Sequence, residues 1–178
     1  MRKPFQLSVP VTPADHAIGP ANARVTVVEY GDFECPMCKQ AAPAVRLLLN
    51  RFKERIQVVY RHFPLEEVHP HAFRAAEAAE CVGAQGQFWP MHDLLFEIQP
   101  KLKPPHLRSC AERLQVDMTR YATDMDDHIY VQRIREQMTS GDESGVRSTP
   151  AFFVNGAIQD VSFGMEQLFD AVEKRLRI

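Results

Sequence analysis

The spacing of apolar residues changes twice early in the chain. Residues 25–30 form a short β-branched run, which is typical of a buried strand. Over residues 35–52 the apolar positions recur every three or four residues, as on one face of a helix. Residues 56–63 return to a strand-like run. A strand, a helix and a second strand predict a parallel βαβ unit with a right-handed crossover.

The middle of the chain has helical spacing and no convincing strand. The predicted helices there lie at about 71–82, 88–97, 105–114, 118–125 and 128–142. Strand-like residues return at 151–154, and the Asn155-Gly156 dipeptide predicts a tight hairpin turn into a partner strand at 157–160. An amphipathic helix at 165–176 is predicted to close the chain.

This order of elements predicts an α/β fold. The αβ pieces on either side of the helical block need a common sheet, since neither piece alone buries both of its faces. We therefore expect one domain over residues 23–178, a central mixed sheet flanked by helices, with a helical insertion at about 66–145. Residues 1–22 hold four prolines and are expected to form an extended N-terminal arm.

Composition and charge narrow the class of function. The net charge is −2 and 25% of the residues are charged, which is ordinary for a globular protein and gives no broad footprint for nucleic acid or a membrane surface. The first residues are basic but lack the apolar stretch of a signal peptide, and no stretch is long enough to span a bilayer. We expect a cytoplasmic protein, or a periplasmic one if the chain has been trimmed. In a reducing compartment, a close cysteine pair is more often catalytic or metal-binding than structural.

Cys35 and Cys38 stand between the first predicted strand and the first predicted helix. Thiol–disulfide exchange needs an attacking thiolate and a second thiol close enough to resolve the mixed disulfide. At a helix N-terminus, free N–H groups and the helix dipole would stabilise the Cys35 thiolate. Cys38 would lie one turn further on and be less exposed. We therefore assign Cys35 as the nucleophile and Cys38 as the resolving thiol.

The two residues between the cysteines refine this prediction. Pro36 suits the first helical turn, where its missing N–H group removes no hydrogen bond of the helix. Met37 carries no charge and adds nothing to the stability of a neighbouring thiolate. We therefore expect the pKa of Cys35 to lie below that of a free thiol, but above the value that a histidine at position 37 would give.

Three segments carry a resemblance to a known family. They are Val-Glu-Tyr-Gly-Asp-Phe-Glu-Cys-Pro-Met-Cys at 28–38, Arg-His-Phe-Pro-Leu at 61–65 and Ser-Thr-Pro-Ala-Phe-Phe-Val-Asn-Gly at 148–156. Together with the helical block, they resemble the DsbA-like branch of the thioredoxin superfamily over roughly residues 20–176. The chain departs from the best-known member of that branch by having Pro-Met rather than Pro-His between the cysteines, and by showing no secretion signal. Both departures leave the direction of electron flow open.

The resemblance implies a thioredoxin-like fold with a helical insertion and a protein-disulfide oxidoreductase activity. It also implies that the Thr149–Pro150 peptide bond is cis and stands opposite the cysteine pair. Thr149 and Pro150, with Pro36 and Met37, would then form the surface that binds an extended substrate segment. The sequence itself shows only that an X–Pro bond at the mouth of a strand is a plausible special site.

Glu29 lies on the first predicted strand, six residues before Cys35. The DsbA-like branch often has an acidic residue at this position, beneath the second cysteine. A buried carboxyl group has a raised pKa and is able to exchange a proton with the resolving thiol. The alternative is a solvated carboxylate at the end of a strand. We favour the first interpretation and include Glu29 among the catalytic residues.

Other cysteines and histidines allow further interpretations. Cys81 and Cys110 fall in the helical block, where buried core positions are favoured over a second redox or structural pair. His62, His69 and His71 with the cysteine pair would supply a zinc ligand set, but their spacing matches no compact zinc module. Phe88, Trp89, Leu94, Leu95 and Phe96 are expected to form the core of the insertion.

These observations predict a thiol–disulfide oxidoreductase that acts on protein or small-thiol substrates. It needs a redox partner to recycle the Cys35–Cys38 pair, and no bound cofactor or metal. The oligomeric state is open. Three other hypotheses remain: a non-catalytic peptide-binding or chaperone module, a zinc-binding protein, and a glutathione-linked transferase, which would usually dispense with Cys38.

Overall fold

A mixed β-sheet forms the centre of the structure, a computed structural model that describes residues 6–177. Residues 1–5 of the predicted arm and residue 178 lie outside the described part. The strands are β1 His16–Ile18, β2 Val25–Gly31, β3 Ile56–His62, β4 Ala151–Val154 and β5 Ala157–Gln159. Their order in the sheet is β1-β3-β2-β4-β5. Only β2 and β3 are parallel among these neighbours, and the other pairs are antiparallel.

Helices cover both faces of this sheet. They are α1 Pro36–Phe52, α2 Ala72–Gly83, α3 Phe88–Ile98, α4 Pro104–Arg113, α5 Met118–Asp126, α6 Val131–Glu143 and α7 Glu166–Arg177. Helices α1 and α7 pack on one face through Val45, Leu48, Leu168 and Val172. Helices α2 to α6 lie between β3 and β4 in sequence, at the place predicted for the insertion. The predicted α/β thioredoxin-like fold is confirmed.

The insertion has its own apolar core, which continues to the cysteine pair. Phe88, Leu95 and Phe96 are buried in it, and Trp89 and Leu94 pack against it partly buried, as predicted. No helix within residues 6–177 combines the length and the apolar character needed to cross a membrane.

The N-terminal segment belongs to the sheet, which corrects the expectation of an arm outside the domain. Residues 16–18 pair with β3 as the edge strand β1. The buried Arg61 guanidinium on β3 donates to both carboxylate oxygens of Asp15, at 2.8 and 3.0 Å, and to the carbonyl groups of Val9 and Pro10. A three-residue strand has too little alternation to be recognised in the sequence. Only its pairing with β3 and the anchored Asp15 define it.

Candidate active site

The turn between β2 and α1 carries the cysteine pair, and Asp32 stabilises that turn. The buried Asp32 carboxylate accepts hydrogen bonds from the backbone N–H groups of Glu34 and Leu65, at 2.7 and 2.9 Å. It also lies 2.7 Å from Nδ1 of His69, and the Asp32 carbonyl accepts from the Cys35 N–H at 3.1 Å. The sequence analysis missed Asp32, although a side chain that bonds the N–H group two residues on is a known turn signal.

Cys35 caps the N-terminus of α1, and Pro36 follows in the first turn. Both Cys35 and Cys38 are free thiols here, with exposed fractions of 5% and 0%. Pro36 is exposed, and Met37 is 57% exposed beside them. A substrate that approaches the Cys35 sulfur therefore meets an apolar surface of Pro36 and Met37, while Cys38 stays beneath it.

The pKa of the Cys35 thiol is lowered to about 5. The largest cause is a hydrogen bond with the Cys38 thiol, and burial opposes it. The Thr149 side chain and hydrogen bonds from the backbone N–H groups of Cys38 and Met37 lower the pKa further. The predicted direction is confirmed. The cause differs from the one expected: the hydrogen bond with the Cys38 thiol lowers the pKa more than the backbone N–H groups at the helix N-terminus do.

The pKa values of Cys38 and Glu29 are shifted in the opposite direction, upward. Burial raises the pKa of Cys38 well above its usual value, and the hydrogen bond to Cys35 and the charge of Glu29 add to this. Glu29 is 4% exposed, and burial followed by the Cys35 charge raises its pKa to about 8. It pairs with Tyr60 on β3 and Phe152 on β4. The alternative of a solvated carboxylate at a strand end is therefore wrong.

The segment before β4 lies against the nucleophile. The Cys35 thiol donates to the backbone carbonyl of Thr149 at 3.3 Å, and the Thr149–Pro150 peptide bond is cis. A groove of about 680 Å³ extends from there, lined by Met37 and Ala41 of α1 and by residues 145–151 and 158–162. Thr149, Pro150 and Met37 thus share one groove beside Cys35.

The remaining predicted residues lie away from this groove. Cys81 and Cys110 are both free and buried in the core of the insertion, where burial raises their pKa values. His62 ends β3 and is buried, with Nε2 at 2.9 Å from Oε1 of Glu80. His69 contacts Asp32 of the turn between β2 and α1. Within residues 6–177 no group of three or more metal-ligating side chains is arranged around a common point.

Comparison with known proteins identifies the family. A sequence model of the thioredoxin family matches residues 11–174. A thioredoxin-like oxidoreductase from Silicibacter pomeroyi DSS-3 superposes with a TM-score of 0.82 and 26% identity, over 94% of this chain and 95% of that one. This chain belongs to the thioredoxin family. Its fold is also similar to that of oxidised BdbD from Bacillus subtilis, with a TM-score of 0.86, 22% identity and 98% of each chain covered.

Curated relatives of this thioredoxin-family chain are much longer proteins. A Na(+)/H(+) antiporter NhaA 1 from Salinispora arenicola is 52% identical over 169 residues, which are 94% of this chain and 26% of the antiporter. An antiporter NhaA from Herminiimonas arsenicoxydans is 39% identical over 154 residues, which are 86% of this chain and 24% of the antiporter. The chain therefore spans about a quarter of the length of these relatives.

Proposed function

We propose that this chain catalyses thiol–disulfide exchange through Cys35 and Cys38. One observation carries the proposal: two neighbouring thiols have opposite pKa shifts, with Cys35 at about 5 and Cys38 well above its usual value. A thiol with the lower pKa is a thiolate at neutral pH and attacks first. Its partner keeps its proton until a mixed disulfide has formed.

In the first step the Cys35 thiolate attacks one sulfur of a substrate disulfide. A bond forms between Cys35 and that sulfur, the substrate S–S bond breaks, and the other substrate sulfur leaves as a thiolate. The Thr149 carbonyl lies 3.3 Å from the Cys35 sulfur and marks one side of the approach. The exposed Met37 and Pro36 form another side.

In the second step Cys38 resolves the mixed disulfide. The Cys38 thiol gives its proton to the Glu29 carboxylate, whose pKa of about 8 lets it both accept and return a proton near neutral pH. The resulting Cys38 thiolate attacks the Cys35 sulfur, the Cys35–Cys38 disulfide forms, and the second substrate sulfur leaves as a thiolate. The substrate has gained the two electrons that the cysteine pair has lost. The reverse sequence oxidises a substrate dithiol.

The low pKa of Cys35 favours the direction in which the oxidised pair oxidises a substrate dithiol. A stabilised thiolate stabilises the reduced pair, and a pair with a stable reduced form is an oxidant toward ordinary thiols. We therefore propose that the oxidised pair forms disulfides in substrates and that a separate redox partner reoxidises it.

We propose an extended protein segment as the preferred substrate. The groove beside Cys35 is lined by the segment that leads into β4, residues 145–150, and by apolar side chains such as Met37 and Val161. An extended segment that lies along residues 148–150 would form strand-like hydrogen bonds while its cysteine reaches Cys35. Small thiols would react at the same sulfur without filling the groove.

The redox equilibrium of the reduced chain against a series of glutathione and glutathione disulfide ratios tests the activity. We expect a single two-electron transition that disappears in the Cys35→Ser and Cys38→Ser variants. Cys110→Ala is the matched control, because Cys110 is a buried free thiol on α4 and not part of the turn between β2 and α1. A parent chain that never equilibrates with glutathione disulfide would contradict the proposal.

The alternative of a peptide-binding module without catalysis makes a different prediction. Such a module would hold an unfolded substrate equally well with Cys35→Ser and would not change the rate of disulfide formation in it. Comparing substrate binding and substrate oxidation for the parent chain and Cys35→Ser separates the two functions.

The curated relatives favour a second proposal, a link to cation transport. Because about a quarter of each of these antiporters matches nearly all of this chain, we propose that domains of this type adjust Na⁺/H⁺ exchange through the redox state of their cysteine pair. Na⁺/H⁺ exchange by the full-length Salinispora arenicola relative in lipid vesicles, measured across a glutathione series, tests this. The expected result is an exchange rate that changes with the redox ratio and becomes constant after thiol alkylation. A rate that ignores the ratio overturns the proposal.

A further inference from the structure

Gln99, at the C-terminal end of α3, bonds the turn between β2 and α1. The Gln99 side-chain amide donates to the backbone carbonyl groups of Phe33 and Cys35, at 2.6 and 3.1 Å. One turn earlier on α3, the Phe96 ring packs on the Phe33 ring with their centroids 5.1 Å apart. Two residues of the insertion therefore hold the segment that leads into Cys35.

A second hydrogen bond runs in the opposite direction. Lys39, which follows Cys38 on α1, donates from Nζ to the backbone carbonyl of Gln99 at 2.9 Å. The side chain of each residue thus bonds to backbone of the other element. Contacts of this kind fix both the position and the rotation of the first turn of α1 relative to the insertion.

The Cys35 carbonyl accepts two hydrogen bonds, and the one from Gln99 links the insertion to the reactive cysteine. Besides Gln99, the carbonyl accepts the Lys39 N–H at 3.2 Å, the first hydrogen bond of α1. Since Pro36 has no N–H, the next backbone donors are those of Met37 and Cys38. Their direction toward the Cys35 sulfur depends on how the Cys35 peptide group is oriented. A donor that holds this carbonyl therefore also sets the geometry of the groups that stabilise the thiolate.

We propose that Gln99 is a positioning residue for thiol–disulfide exchange, which orients the first turn of α1 around the Cys35 sulfur through the carbonyl groups of Phe33 and Cys35. This inference rests on the proposed function, because it assigns the helical insertion a part in that reaction. Gln99 lies 64 residues from Cys35 in sequence and touches neither sulfur through a hydrogen bond of its own. Its effect passes through the backbone.

The test is the pKa of Cys35, measured from the absorbance of the thiolate in reduced protein, for Gln99→Met and Gln99→Glu. Both variants keep the length of the side chain and lose the amide donor. Gln99→Met is uncharged and isolates the lost hydrogen bonds, whereas Gln99→Glu also brings a negative charge close to Cys35. Gln87→Met is the matched control, because Gln87 is also half-buried in the insertion and donates to a carbonyl, that of Leu114 at 2.8 Å.

We expect Gln99→Met to lower the acid dissociation constant of Cys35 by roughly 3- to 10-fold, the effect of about one hydrogen bond. Gln99→Glu should lower this constant further, because its negative charge also disfavours the thiolate. The equilibrium constant with glutathione should shift in parallel toward a weaker oxidant, whereas Gln87→Met should leave both values as in the parent. A Gln99 variant that melts earlier but keeps the parental Cys35 pKa would show a structural role alone and overturn the proposal. The thiolate titration needs no substrate. It therefore stays informative if the chain fails to exchange disulfides, a result that would count against the proposed function instead.

Discussion

The Cys35 sulfur lies 3.3 Å from the backbone carbonyl oxygen of Thr149, although 114 residues separate them in sequence. The contact joins the first turn of α1 to the segment that enters β4. Cys38 lies below this contact and has no exposed surface. This difference in exposure supports the proposed order of attack, Cys35 before Cys38, independently of the pKa values.

Cys38→Ala should raise the pKa of Cys35. The hydrogen bond with the Cys38 thiol is the largest cause of the low value of about 5. Its loss should raise the pKa by about one unit or more, as expected for a charge-assisted hydrogen bond. Thiolate absorbance as a function of pH measures this. Cys81→Ala, which removes a buried thiol from the insertion, should leave the titration unchanged; an equal shift in both variants would contradict the assignment.

Glu29→Gln should slow resolution of the mixed disulfide by roughly 100-fold at neutral pH, since it removes the proton acceptor for Cys38. In the parent chain the resolution rate should rise with pH as the carboxyl group loses its proton. Burial still raises the pKa of Glu29 in the mixed disulfide, but the Cys35 charge that adds to it in the reduced chain is absent, so the rise should come below about 8. That rise should be absent in Glu29→Gln. Stopped-flow release of a reporter thiol from a preformed mixed disulfide measures the rate. Identical pH profiles in the two proteins would remove Glu29 from the mechanism.

The raised pKa of Glu29 also predicts how stability depends on pH. Between its ordinary value of 4.5 and about 8, the folded state keeps a proton that the unfolded state has released. The contribution of Glu29 to the free energy of unfolding is therefore full below 4.5 and decreases as pH rises through about 8. Urea unfolding of the parent chain and Glu29→Gln across this range isolates the effect. Their difference should grow in favour of Glu29→Gln with rising pH, and a constant difference would argue against a buried protonated carboxyl group.

Met37→His should lower the pKa of Cys35 below its present value. Met37 is 57% exposed beside the nucleophile, so an imidazolium at this position would face the thiolate and stay solvated. The reduced pair should then be more stable and the pair a stronger oxidant of glutathione. Met37→Leu keeps the apolar surface and should behave as the parent. The prediction is wrong if histidine and leucine give the same redox equilibrium.

Asp15→Asn should destabilise the fold by about 3 kcal/mol, because it leaves the Arg61 guanidinium buried without a counter-charge. The side chains of Arg61 and Asp15 are only 3% and 7% exposed. Asp142→Asn is the control, since Asp142 and Arg147 form an exposed pair that should be worth less than about 1 kcal/mol. Chemical denaturation of both variants measures the difference. Equal stabilities would mean that the N-terminal segment does not contribute to the domain as the structure indicates.

Much of the fold follows from local patterns. The runs at 25–30 and 56–63 are strands because β-branched residues suit a sheet that is buried on both faces, and the helical spacings of the insertion reappear as α2 to α6. The edge strand at 16–18 was missed because three residues show no period. Gln99 was missed because it bonds backbone groups more than 60 residues away in sequence, and such contacts have no local signature. Asp32 has the signature of a turn residue, but its contacts with Leu65 and His69 exist only in the folded chain.

The sequence by itself determined the arrangement of the cysteine pair: two thiols one helical turn apart, a proline at the first helical position and a strand before them. These are local features, and helix geometry converts them directly into proximity. Only the tertiary structure decided what surrounds the pair. Three residues from separate elements surround it. Thr149 contacts the Cys35 sulfur, the buried Glu29 acts on Cys38 through its charge, and Gln99 bonds the Cys35 carbonyl. Their distances depend on how the sheet and the insertion pack. The pKa shifts at the site arise from burial and from the hydrogen bonds and charges that this packing brings together, which no short stretch of sequence specifies.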